Sequence, residues 1–496
     1  MILYMLTMFI GFFSRKVFIN YLGAEILGLN TLIVNLLNFL NLAELGIGAA
    51  ISFSLYQPLH DKKQEVINEI VSVQGYLYKI VGLIIIACSI ILMLFFPLIF
   101  EKAKVPLFYA YITFVIMLFS SVLGYFVNYK QNVLEADQKQ YVIVYCTYGI
   151  RIIKSIIQII AVIYLPHPYL FWLLIEFIFT IIIAISINQN VKKQYPNLVV
   201  SKRKGKPLLK KHNEIVVKIK QLLFHKLAGF AVYQSNPIII YSFTTLTIVA
   251  IYGNYMLILS AIMLLINSAF NGINASIGNL IVESGKDKIK EILWELLAIR
   301  MLIASILCYA VLELSTPFIT LWVGKEFLLS DLTVSLLIVY QFIQMTRITE
   351  NFLYAYGQFK DVWAGIAEAI MHIGFAILGG YYWGINGILI GCIIAVFLIG
   401  VLWKPMFLFK SNLKEKVINY FLIATKNMTI IIISAFISHN IFKLINISFT
   451  DNLKRLIGYG MLIIGTYTMT SICLFYISSP EFRNVIKRFV KKPINI

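Results

Sequence analysis

Apolar residues run through this chain in blocks of roughly 20, each closed by a short polar gap. A helix of about 20 residues, rising ~1.5 Å per residue, spans a bilayer core. The blocks predict about fourteen spanning helices, at roughly 1–21, 30–57, 71–99, 106–128, 139–165, 168–190, 222–245, 247–281, 291–321, 332–357, 362–382, 385–409, 418–442 and 453–477. A transmembrane barrel would instead show alternating segments of about 10 residues, and the chain has none. The expected fold class is all-α, a polytopic membrane protein. The longest polar gap, residues 191–221, divides a first group of six spans (1–190) from a second (222–410). Two further helices and a basic tail occupy 411–496.

Composition agrees with this pattern. Of 496 residues, 60% are hydrophobic and 13% charged, more apolar surface than a soluble domain can hide. The net charge of +19 would suggest nucleic acid in a soluble protein. Here the cations fall in the gaps. With the N-terminus in the cytoplasm, the inside gaps and tail hold 27 Lys and Arg, and the outside gaps 6. That asymmetry places both ends on the cytoplasmic side. The Ser201–Pro207 stretch in the long gap is expected to be solvated and drawn to anionic headgroups, with docking of a cytoplasmic partner as the alternative. The five cysteines show no metal-binding spacing. The first apolar run lacks a basic leader and a small-residue cleavage pattern, so it is expected to be a retained span.

Candidate chemistry lies in the polar residues at membrane depth. A Lys or Arg there costs about 2.5–3.5 kcal/mol by insertion scales, so such residues usually face an interior cavity. Arg15, Arg151, Lys154, Arg300 and Arg347 are the candidates for a cationic, anion-binding cavity. Arg151 and Lys154 are three apart, share a helix face with Gln158, and repel unless an anion or acid is near. Arg347 and Glu350 have the same spacing with opposite charge, so an ion pair is expected. Arg300 has Glu295 five residues away, which is not a clean helical pair. Arg15 faces either a cavity or, by snorkelling, the interface. Glu44 is a candidate for ion coupling or for the counter-ion of Arg15. Glu368 and His372, four apart, form either a proton relay or a polar contact between helices. His225 and Lys226 mark the cytoplasmic mouth between the halves. Glycines 46, 48 and 272 and Pro237 are candidate flexible points. No ATP-binding loop motif is present. The outside gaps are too short for a catalytic domain, and no metal site or other cofactor is expected.

Gly46–Ile51 (GIGAAI) is echoed by Gly272–Ile277 (GINASI), a faint internal repeat. Two six-helix halves with a site between them are common in secondary transporters. Several stretches also resemble Wzx-type polysaccharide flippases: Ser14–Asn30, Ala43–Gly48, Ser54–Pro58, Ala136–Lys139, His225–Lys226, Ala275–Asn279, Leu321–Lys325, Gly384–Gly387 and Trp403–Pro405. The resemblance covers most of residues 1–410 and rests on the order and spacing of these stretches. It implies membership of the superfamily that also holds multidrug extruders and the lipid II flippase. It implies two six-helix bundles around a central V-shaped cavity lined by cations, plus two C-terminal helices. The implied cargo is a polyprenyl-pyrophosphate-linked oligosaccharide, moved by alternating access across a bacterial cytoplasmic membrane. Arg15 lies inside a matching stretch; the other cations match by depth alone. The expected partners are this substrate, membrane lipids, and polysaccharide polymerase or export machinery. A sodium or proton gradient is the expected drive. The alternatives are a multidrug or cation extruder of the same superfamily, which would want acids in its cavity, and a membrane glycosyltransferase or polymerase. For the latter, Glu135-Ala-Asp137 is a weak signal in a short inside gap.

Overall fold

The computed structural model describes residues 2–44, 46–201, 203, 205–219, 229, 232, 234–270, 273–356, 361–445 and 453–491. The protein is an all-α polytopic membrane protein, with eleven helical stretches among the described residues long and apolar enough to cross a bilayer. Two of these stretches double back on themselves. The first, α1 (Ile2–Leu40), turns at Gly23, whose φ of 84° glycine adopts without a Cβ penalty. Phe18 and Asn30, on opposite arms, both reach Tyr169. Another, Val362–Val396, turns at Trp383 and Gly384. Its arms touch backbone to backbone: a Cβ on Gly379 would lie 2.0 Å from the Gly387 carbonyl oxygen. A Cβ on Gly391 would lie 2.3 Å from the Phe375 carbonyl. Small residues permit that approach in a membrane. Counting each arm, the described residues hold thirteen spans. The span expected at 222–245 falls largely outside them; its end is the helix Asn236–Phe243. The chain divides into two compact units, Met1–Gly253 and Asn254–Ile496.

In the N-terminal unit, α1 is followed by a 3-10 turn at Asn41–Glu44 and then α2 (Ile47–His60). Gly46, with φ 92°, starts α2 from a left-handed conformation. The second span is therefore broken at the sequence Asn41–Gly48. Next come α3 (Gln64–Leu94), α4 (Leu107–Phe126), a span made of Gln140–Val144, a π turn at Tyr145–Gly149 and α5 (Ile150–Tyr164), and α6 (Pro168–Gln194). The basic segment is more than a solvated tether. Backbone N–H groups of Val199 and Ser201 donate to Asn68 Oδ1 and Ser72 Oγ on α3, at 3.1 and 3.0 Å. Lys211, ending α7 (Gly205–Lys211), and His212 both hold Glu69, at 2.6 and 2.8 Å. Ile215 is fully buried in the core of this unit. The unit boundary falls later, at Gly253 within α8 (Leu246–Phe270).

The C-terminal unit is built on α9 (Lys286–Trp322). Its 37 residues extend ~55 Å, so it projects well beyond a hydrocarbon core of about 30 Å. Against it pack α10 (Asp331–Met345), α11 (Ile348–Ala355), α13 (Ile418–Ile445), α14 (Leu453–Ser478) and α15 (Pro480–Lys491), while α12 (Val362–Val396) packs on α10. Amphipathic α15 buries Phe482 in a core shared with Leu293 and Leu297 of α9. Its polar face reaches back to α9, where Arg488 meets Glu291 and Glu295.

Candidate functional site

The fifth span carries the most open of the deep cations. Within the N-terminal unit, residues of α4, α5, α6 and the segments beside them enclose a cavity of about 670 Å³. Its polar wall includes Asn128, Gln131, Gln140, Thr147 and Thr180, together with Arg151, Lys154 and Glu176. The π turn widens the helix just before Arg151, and π turns recur at functional sites. Arg151 is solvent-exposed, its guanidinium 5.4 Å from the Tyr148 ring, and it makes no ion pair among the described residues. Lys154 is placed differently. Its ammonium donates to both oxygens of Glu176, at 2.8 and 2.9 Å, and Gln158 donates to the same carboxylate at 2.9 Å. The structure thus puts Arg151, Lys154 and Gln158 on one face and adds an acid that the residue spacing on the fifth span could not reveal. The signal was Glu176 itself, a lone carboxylate about a third of the way along the sixth apolar block.

Arg15 is half-buried on the first arm of α1, where its Nη2 donates to the Ala250 carbonyl at 3.2 Å. Gly253 makes room for it, since a Cβ there would lie 2.8 Å from that nitrogen. Glu44 sits at the break in the second span and accepts a hydrogen bond from Tyr78 Oη at 2.7 Å. Tyr125 donates to Asn41 beside it, at 3.0 Å. Gly48 lets this group close up: its Cβ would lie 3.1 Å from Tyr78 Oη, 3.3 Å from Asn132 Nδ2 and 3.4 Å from Glu44 Oε1.

In the C-terminal unit the deep arginines serve a second broken span. The tenth span stops at Met345 and restarts at Ile348, leaving carbonyls at the end of α10 without helical partners. Arg300 donates from Nε to the Met345 carbonyl at 2.6 Å and from Nη1 to Asn351 at 3.0 Å. A cation suits a helix C-terminus on dipole grounds as well. Glu295 is engaged by Arg488 instead, at 3.0 Å. Arg347, at the break, forms the expected ion pair with Glu350 (Nε to Oε1 2.8 Å) and a further one with Glu368 (2.6 and 2.8 Å). Gln344 accepts from it at 3.1 Å. Gly400, in a π turn at Phe397–Trp403, admits the guanidinium, since a Cβ there would lie 3.1 Å from Nε. Arg347 also borders an apolar cavity of about 550 Å³ within this unit. Glu368 is thereby committed to Arg347, and His372 lies with Nε2 3.4 Å from Cys392 Sγ.

His225, Lys226 and Gly272 lie outside the described residues. Pro237 occupies the first turn of the helix Asn236–Phe243, where proline fits. Glu135 lies in the short helix Gln131–Ala136, and Asp137, which caps its end, is held by Lys139 at 2.7 Å and by Tyr195 at 2.5 Å. Burial alone would raise the Asp137 carboxyl, but these hydrogen bonds outweigh it and hold it below the usual range. Among the described residues no group of three or more His, Cys, Asp or Glu is placed to hold a metal ion.

No protein-family model matches the sequence, and no curated protein matches it. Solved structures do match the fold. The lipid II flippase MurJ, in an inward closed conformation, superposes with a TM-score of 0.62 at 14% identity, covering 98% of this chain and 99% of that one. An inward-facing multidrug resistance MATE family transporter of the MOP superfamily superposes at 0.61 and 14% identity, covering 82% of this chain and 95% of that one. A Vibrio cholerae MATE transporter, VcmN, gives 0.51 at 15% identity, covering 83% and 97%. At these identities the likeness establishes the fold: this chain has the architecture of MATE transporters and of the MurJ flippase.

Proposed function

We propose that this protein is a flippase of the Wzx type, carrying a polyprenyl-pyrophosphate-linked oligosaccharide across a bacterial cytoplasmic membrane by alternating access. The fold supports a transporter and includes a lipid-linked substrate among its known cargoes, since one neighbour is a lipid II flippase. The observation that favours an anionic cargo is the 670 Å³ polar cavity bordered by exposed Arg151. A guanidinium donates two parallel hydrogen bonds to a phosphate or carboxylate, and the amide and hydroxyl side chains around it suit a sugar. An extruder of cationic drugs wants open carboxylates at depth. Here Glu44, Glu176, Glu350 and Glu368 are each engaged by a donor. Glu44, at the broken second span, is the candidate for sodium or proton coupling; Glu368 is better read as the partner of Arg347.

The test is Arg151→Ala beside the charge-neutral double variant Lys154→Ala with Glu176→Gln, in proteoliposomes carrying a lipid pyrophosphate glycan. Flipping is expected to fall at least tenfold in Arg151→Ala, with that glycan accumulating on the cytoplasmic leaflet in cells. Wild-type flipping by Arg151→Ala at normal protein level would remove the anion-binding role.

A further inference from the structure

The polar cavity of the N-terminal unit holds a charge balance that an anionic cargo must disturb. Arg151, Lys154 and Glu176 border it, two cations and one carboxylate, for a net charge of +1. Glu176 is the one acid among the described residues that line it, and Tyr148 is the remaining ionisable side chain. A pyrophosphate esterified at both ends carries an ionised oxygen on each phosphorus. Its arrival turns the site from net positive to net negative, and an uncompensated charge at membrane depth is expensive.

The shortfall falls on Lys154. Its ammonium gives two of its three N–H groups to the two Glu176 oxygens, at 2.8 and 2.9 Å. The third can reach a ligand, but one positive charge cannot balance a carboxylate and a phosphate together. Both partners are open to the cavity, the Lys154 side chain 15% and the Glu176 side chain 19% exposed. Glu176 also has a second donor, Gln158, at 2.9 Å on Oε2. A protonated carboxyl still accepts that bond, so Gln158 can hold Glu176 when Lys154 leaves. We propose that cargo binding is linked to uptake of one proton by Glu176. The proton comes from the aqueous phase and adds to the carboxylate, and the Lys154–Glu176 ion pair breaks. The freed ammonium then joins Arg151 in clamping the pyrophosphate. This step rests on the anionic-cargo reading of the cavity. It makes affinity fall as pH rises, because the ionised carboxylate competes with the phosphate for Lys154.

The probe is a citronellyl pyrophosphate ester of N-acetylglucosamine, soluble and of constant charge from about pH 6 to about pH 8. It is titrated calorimetrically into the purified full chain in nanodiscs of zwitterionic lipid, without divalent cations. Buffers of different ionisation enthalpy give the proton count. Wild type is expected to take up about one proton per probe bound and to lose at least tenfold in affinity across that range. Glu176→Gln should bind at the higher pH as tightly as wild type at the lower one, with no uptake. Should that variant fail to fold, the charge-neutral double variant Lys154→Ala with Glu176→Gln must likewise show no uptake. Binding by wild type without proton uptake, or uptake that persists in either variant, overturns the inference and leaves the anionic-cargo reading standing. No binding by wild type at either pH removes both.

Discussion

Both units carry arginines at depths where lipid surrounds a spanning helix, and they use them in opposite ways. In the C-terminal unit, Arg300 and Arg347 close a break in the tenth span. One caps the carbonyl left at Met345, and the other is held by Glu350 and Glu368. In the N-terminal unit, Arg151 stands exposed on a polar cavity, while its neighbour Lys154 is neutralised by Glu176. The breaks differ likewise. Each unit interrupts a span, at residues 41–46 and 346–347, but the first break is lined by an acid with tyrosine donors and the second by arginines. A deep cation is therefore not by itself a sign of a binding site. Whether it is consumed by its own fold decides what it can do for a ligand.

Arg347→Ala tests the contrast hardest. It removes the guanidinium that pairs with both Glu350 and Glu368, and breaking a buried pair costs about 3–5 kcal/mol, less where the pair is part-buried as with Glu350. A large fall in melting temperature is expected, mostly recovered when Glu350→Gln and Glu368→Gln are added; a wild-type melt would mean the arginine is not structural. Arg300→Ala comes next. It leaves the Met345 carbonyl without its donor, a loss of about 1–3 kcal/mol, and Arg300→Lys should recover only part because one ammonium replaces a fork. Arg151→Ala should change stability by less than ~0.5 kcal/mol while reducing flipping. If it melts as low as Arg300→Ala, the distinction between the units collapses.

The smallest effect concerns Asp137. Its folded carboxyl lies below the usual range, so its contribution is present above the unfolded value near ~4. That contribution disappears as pH falls through the folded value. Acid melting curves of wild type and Asp137→Asn should converge there; curves that stay parallel would show that the Lys139–Tyr195 clasp adds nothing. The effect is modest because the pair is part-exposed.

Much of the architecture was readable because membrane spans obey a simple rule of length and polarity. The apolar blocks located the spans, and the i,i+3 spacing of Arg347 and Glu350 announced their ion pair. The spacing of Arg151 and Lys154 placed them on one face. What spacing could not supply were partners from other spans: Glu176 for Lys154, Glu368 for Arg347, and the Met345 carbonyl for Arg300. The basic segment reads as a solvated linker because Lys and Arg dominate it. Its backbone N–H groups and Ile215, which dock it on α3 and in the core, carry no such signature.

The sequence alone determined that this is an all-helical membrane protein, where its described spans lie, and which cations sit at depth. Those follow from the hydrophobic effect, which acts on each segment by itself. Which cations are spent on the fold, and which is left for a ligand, was decided only by the tertiary structure. Hydrogen bonds and ion pairs act over about 3 Å, and only packing brings residues from different spans that close.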